Sequence, residues 1–190
     1  MLKSETEGQG IIDLGAERRK RVGIPNSAQS PFPLPTNKQS ELFVGVTFRA
    51  AMSSQYIGCP LFEHGLGTHV VELCSGKGIE ERDPLINALQ VWTDSVVAHS
   101  SREIIIYQEG ALGLSLDECL AVTLIVACQF GRAGAAKSCA FAMIDHGDGV
   151  DDLVAASVAM ARIFFNNSIE FHTDAIANVV VQASTRPDQG

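Results

Sequence analysis

The second half of the chain most limits what it can fold into. From Ser115 to Ser184 apolar residues recur with helical spacing, and the run divides into four successive helices dense in Ala, Val, Ile and Leu. Ser115-Leu116-Asp117-Glu118 has the Ser-x-x-Glu form of a capping box, in which hydroxyl and carboxylate each satisfy an amide left unpaired at a helix start. The helix it opens is apolar nearly all round (Leu120, Val122, Leu124, Ile125, Val126), so it is expected at the centre of the core. Ala133 to Ile144 reads as a short helix of small residues. Asp148 to Phe165 follows, with Val150, Leu153, Val154, Val158, Ala161 and Phe165 on one face. Asp151 and Asp152 lie in its first turn, where the helix dipole favours negative charge. The last helix, Ser168 to Ser184, carries Ile169, His172, Ile176, Val180 and Ala183 as its stripe.

The segments ahead of this block have a different character. Leu42-Phe43-Val44-Gly45-Val46-Thr47-Phe48 is rich in β-branched and aromatic residues and apolar on both faces, which predicts a buried strand. Thr68 to Cys74, between glycines, predicts a second strand, and Glu103 to Tyr107 with Ile104-Ile105-Ile106 a third. Asp83-Pro84 supplies an N-cap and a first-turn proline, and Leu85, Leu89, Trp92 and Val96 then recur at helical spacing, predicting a helix over 84–99. The expected class is α+β: a small sheet of about three strands packed under a helix-rich C-terminal half of four to five helices. Residues 1–40 read as a disordered, proline-containing arm, 41–184 as a single globular domain and 185–190 as a tail.

Charge separates the arm from the body. The arm holds six basic residues against four acids, a net +2, whereas the remainder holds eight against eighteen, a net −10. An acidic body repels phosphate, so binding of nucleic acid or an anionic membrane through that surface is disfavoured. No apolar run reaches the roughly 20 residues of a membrane span, and the first residues lack the apolar centre of a secretory signal. Five cysteines without an export signal read as reduced thiols, which places the protein in the cytoplasm. Cys119, Cys128 and Cys139 fall in apolar helical stretches and are expected to behave as small buried hydrophobes.

Three groups of residues carry candidate functions. Cys59, His64, His69 and Cys74 are the donor types of a tetrahedral zinc site, spaced C-x4-H-x4-H-x4-C. Their separations exceed those of most knuckles, and on a strand His69 and Cys74 would face opposite sides of the sheet. A loop histidine and ordinary thiols explain the same residues. Val71-Glu72-Leu73-Cys74-Ser75-Gly76-Lys77-Gly78 resembles the first motif of nucleotide-type methyltransferases, where a strand ends in a glycine loop under the cofactor. The resemblance implies a ligand site at Glu72, Ser75, Gly76, Lys77 and Gly78, with Glu109 as the acid that holds ribose hydroxyls. In the arm, the apolar Ile11, Ile12 and Leu14 precede the basic Arg18, Arg19 and Arg21, the composition of a linear motif that enters a partner's apolar groove and meets acids at its rim. A solvated tail is the plainer reading of that segment.

Asp145 to Asp152 lacks the spacing of a calcium loop and reads as a turn before an acid-capped helix. The polar residues able to do chemistry are thus few and scattered. The favoured expectation is a non-catalytic cytoplasmic interaction or regulatory protein that uses the arm motif and a helical interface, and that forms homo-oligomers through its alanine-rich helices. The alternative is a small enzyme or ligand-binding domain with its site around loops 57–78 and 108–113.

Overall fold

The computed structural model describes residues 22–23, 39–57, 82–107 and 113–172. In chain order these form β1 (Val22–Gly23), α1 (Gln39–Ile57), α2 (Arg82–His99), β2 (Ile104–Ile105), α3 (Leu116–Gln129), α4 (Ala133–Ile144) and α5 (Val150–Asn166). Helix α3 is the hub, packing against α1, α4 and α5, while α5 also lies along α2. Every residue from Asp117 to Ala127 is buried, as the all-round apolar character of this segment predicts.

The expected strand at Leu42–Phe48 is a helix. Apolar residues on both faces suit a buried strand and a buried helix equally, and a longer window decides between them. Phe43, Val44, Thr47, Phe48, Ala51 and Met52 are all buried, a stripe of helical spacing that continues past the segment read as a strand. The Thr47 hydroxyl donates to the Phe43 carbonyl one turn back (2.7 Å), which lets a β-branched polar residue sit inside the helix. At Gly45 the Leu114 side chain presses onto the backbone, and a Cβ there would lie 2.6 Å from Leu114 Cδ2.

No three-stranded sheet is present among the described residues. Ile104–Ile105 pairs in parallel with Val22–Gly23, in register Val22 to Ile104 and Gly23 to Ile105. The segment 68–74 lies outside the described residues. The other edge of β2 is satisfied by side chains at the start of α3. The Ile105 amide donates to Asp117 Oδ2 (2.7 Å), the Tyr107 amide donates to Glu118 Oε1 (3.1 Å), and the Ser115 hydroxyl donates to the Ile105 carbonyl (2.6 Å). Backbone amides removed from water require partners, and here acids on a helix take the place of a third strand.

Helix α2 carries Leu85, Leu89, Trp92 and Val96 fully buried, in agreement with the predicted stripe, and Phe48 packs on Trp92 with ring centroids 5.1 Å apart. The capping box of α3 is formed: the Ser115 hydroxyl accepts from the Glu118 amide (3.1 Å), and Glu118 Oε2 accepts from the Ser115 amide (2.6 Å). Helix α4 has the predicted bounds. Helix α5 begins at Val150 rather than Asp148, because Gly149 turns the chain in the left-handed region (φ 89°) directly against the His99 ring.

Two further expectations fail around α5. Its buried face runs through Leu153, Ser157, Met160, Ala161 and Phe164, so Phe165, predicted on the inner stripe, is 67% exposed. Phe164 takes the inner place through edge-on contacts with Phe43 and Phe171. The predicted helix from Ser168 does not begin there. Ser168 is left-handed (φ 58°), its amide donates to the Phe165 carbonyl (3.0 Å), and the Ile169 amide donates to the Phe164 carbonyl (2.9 Å). This is a Schellman stop with Ile169 and Phe164 both buried. Residues 169–172 then alternate, Ile169 and Phe171 buried, Glu170 and His172 exposed. Gln129 holds this segment through the Ile169 carbonyl (2.9 Å) and the Phe171 amide (3.2 Å). Residues 173–184 lie outside the described residues.

Candidate functional site

The residues that sequence chemistry singles out are not among those described. Cys59, His64, His69 and Cys74, the glycine-loop residues Glu72, Ser75, Gly76, Lys77 and Gly78, Glu109, and the arm residues Ile11, Ile12, Leu14, Arg18, Arg19 and Arg21 all lie outside them. The described residues instead contain a buried ionic centre, which sequence reasoning passed over, and an outward face of α4 and α5, the alanine-rich helices expected to form an interface.

The ionic centre lies where α1, β2 and the start of α3 meet. Arg49, inside α1, makes a two-pronged contact with Glu118, Nε to Oε1 at 2.6 Å and Nη2 to Oε2 at 3.0 Å, and Nη2 also donates to the Gly113 carbonyl (2.7 Å). Both side chains are almost wholly shielded from water. With the Tyr107 and Ser115 amides added, each oxygen of Glu118 accepts two hydrogen bonds. Asp117 is held likewise by Arg102, through Nη1 at 3.0 Å and through Nη2, while Arg102 Nη2 reaches on to the Ala142 carbonyl at 3.0 Å. Burial works against the charge of Arg102, but its hydrogen bond to Asp117 and the attraction of Asp117 and Asp145 outweigh it and hold the guanidinium above its ordinary pKa. Burial also pushes the Tyr107 hydroxyl up, reinforced by the charge of Glu118 and by Cys119 and partly offset by Arg49.

This arrangement ties three elements together. The lone pairs of Glu118 are occupied by arginine and backbone, so it is engaged in holding β2 and α1 onto α3. The sequence carried a signal for it. Two adjacent acids open a helix that is otherwise apolar all round, and an arginine interrupts an apolar segment; buried charges of that kind require each other.

The thiols have no activated member among those described. Burial pushes Cys119 up to about 12, with Glu118 and Asp117 adding to the effect; burial and the nearby Cys139 push Cys128 up to about 12; and burial pushes Cys139 up to about 11. All three are therefore protonated at neutral pH; Cys119 and Cys139 are the buried small hydrophobes expected, whereas Cys128 is half-buried. Among the described residues no group of three or more His, Cys, Asp or Glu is arranged to hold a metal ion. His172, predicted on a helical stripe, lies on the exposed extended segment, where its amide donates to the buried Glu41 Oε1 (2.9 Å).

The outward face belongs to α4 and α5. An open groove of about 530 Å³ separates them, lined by Lys137, Ser138, Phe141, Gly147, Val150 and Asp151. Phe141 at its side is 51% exposed, although its helix contributes Ala136, Cys139, Ala140, Met143 and Ile144 to the core. Lys137 Nζ pairs with Asp151 Oδ1 across it (2.8 Å), an exposed contact of small energetic weight. Along α5 the exposed positions Asp151, Asp152, Ala155, Ala159, Arg162 and Phe165 form one continuous strip. Phe141 and Phe165 are exposed aromatic rings on this face, which also shows Ala155 and Ala159 among the charged Lys137, Asp151, Asp152 and Arg162. No described helix is long and apolar enough to cross a membrane.

Comparisons with protein-family models, with curated proteins and with solved structures found no match for this chain.

Proposed function

We propose that the protein is a non-catalytic, cytoplasmic interaction module, with the outward α4–α5 face as its contact surface for another protein and the Ile11–Arg21 segment as a second contact. The observation that carries this reading is the exposure of two phenylalanines, Phe141 on α4 and Phe165 on α5, on a face that also exposes Ala155 and Ala159. Aromatic residues are the side chains that most often anchor protein interfaces, and exposed alanines admit close backbone approach. The saturated ionic centre and the protonated thiols support the non-catalytic part, since Glu118 and Asp117 are already engaged in the fold. The basic arm motif would add a contact complementary to an acidic rim.

In-cell hydroxyl-radical footprinting, set beside the same protein purified and dilute, tests the reading. Phe141 and Phe165 are expected to be labelled less in the cell, with Leu42, an exposed residue on α1, unchanged. Equal labelling of both phenylalanines in the two states would refute it.

A further inference from the structure

The charges of α5 are arranged end to end. Its acids, Asp151 and Asp152, lie in the first turn, and its one basic residue, Arg162, lies in the last part, with Ala155 and Ala159 exposed between them. Asp152 and Arg162 are ten residues apart, about 15 Å along the axis. Their midpoint is level with residue 157, which is also the midpoint of Ala155 and Ala159. A second α5 laid antiparallel about that level brings Ala155 opposite Ala159, and Arg162 opposite Asp152, at both ends at once. Alanine at the crossing permits the close end of the usual helix separation, about 8–10 Å.

The same register places Phe165 level with Gly149 of the opposing helix, beside the groove lined by Gly147, Val150 and Phe141. Phe165, 67% exposed, thus meets the Phe141 and Val150 side of that groove, whose other side carries Lys137, Ser138 and Asp151. Much of the body is acidic and repels its own copy, whereas this strip matches itself.

We propose that the partner is a second copy of this chain, packed antiparallel on α5 about a two-fold axis, with Arg162 of each copy against Asp152 of the other and Phe165 of each in the other's groove. The inference rests on the reading of the α4–α5 face as an interface and names what occupies it.

Sedimentation velocity of the full chain over a concentration series, at low and high salt, tests it. The expected species has twice the 20.3 kDa of one chain and weakens as salt is raised. Arg162→Glu sets acid against acid in both 152–162 pairs across the axis, and Asp152→Arg sets arginine against arginine in both. Each substitution acts twice across the axis, so each variant alone should self-associate at least about a hundredfold more weakly. Mixing the two in equal amounts restores attraction at both ends and should return a heterodimer. Both side chains are exposed, and unchanged circular dichroism would establish that the variants fold. A wild-type monomer at every concentration would overturn the proposal. So would a dimer that both charge variants retain, or one that mixing fails to rescue. If such a failure coincides with protection of Phe141 and Phe165 in cells, self-association is refuted while the interaction reading stands.

Discussion

Replacing Arg49 with methionine isolates the energetic role of the buried ionic centre. Methionine keeps most of the apolar stem and removes the guanidinium, so the packing change is small and the electrostatic change is large. Glu118 then loses two charge-assisted hydrogen bonds while remaining fully enclosed, and the Gly113 carbonyl loses a donor. Removing one partner of a buried pair costs about 3–5 kcal/mol, and the orphaned carbonyl adds about 1 kcal/mol. Two backbone amides still serve the carboxylate, which places the expected loss near the lower part of that sum, about 4 kcal/mol. Against a total stability of about 5–15 kcal/mol, the variant is folded but marginal. At a urea slope of about 2 kcal/mol/M, the midpoint falls by about 2 M, read by far-UV circular dichroism. Glu118→Gln should also destabilise, and the double variant should lose less than the sum of the two, with a coupling of at least about 2 kcal/mol. A loss below about 1 kcal/mol for Arg49→Met, at unchanged slope, would place the pair in the class of solvated surface bridges and refute the account.

Two further predictions concern stability. Gly149→Ala should cost at least about 2 kcal/mol in the same urea assay, because φ is 89° and the new methyl group would overlap the His99 ring. Adding His99→Ala should recover the steric part but not the backbone part; full recovery would show that the left-handed conformation carries no cost. The thiol of Cys119 titrates at about 12 in the folded chain against 9.0 as its ordinary value, so folding favours the protonated form. Its contribution is intact below pH 9 and is lost as pH rises from there through about 12. The urea midpoint should therefore fall over that interval, and less steeply in Cys119→Ala; identical slopes would count against burial of this thiol.

Several elements were legible from the chain alone. Capping chemistry placed the start of α3, because Ser115 and Glu118 satisfy each other within one turn and need nothing from elsewhere. The buried stripe of α2 and the bounds of α4 were likewise readable from apolar spacing and from Gly131 as a breaker, although α2 begins at Arg82, ahead of the Asp83 expected to cap it, and Arg132 at the start of α4 makes no side-chain cap. The stop at Ser168 also had a local trace in the alternation Ile169-Glu170-Phe171-His172, which has strand period rather than helix period.

Tertiary structure decided the remainder, where a local pattern had two solutions of similar energy. Leu42 to Phe48 is apolar on every side, so those seven residues alone do not separate helix from strand; the stripe that does so, continuing through Ala51 and Met52, is buried in a helix packed against α3 and α2. One edge of β2 is closed by Asp117 and Glu118, residues that a short-range reading assigns to a helix cap. Phe164 and Phe165 are adjacent and chemically identical, so periodicity alone could not say which one turns inward; the rings of Phe43 and Phe171 settle it. That choice leaves Phe165 on the surface beside Arg162, and so creates the outward strip of α5. Local chemistry sets where helices begin and end, whereas which face is buried depends on neighbours distant in sequence, because burial is a property of the assembled core and not of any segment.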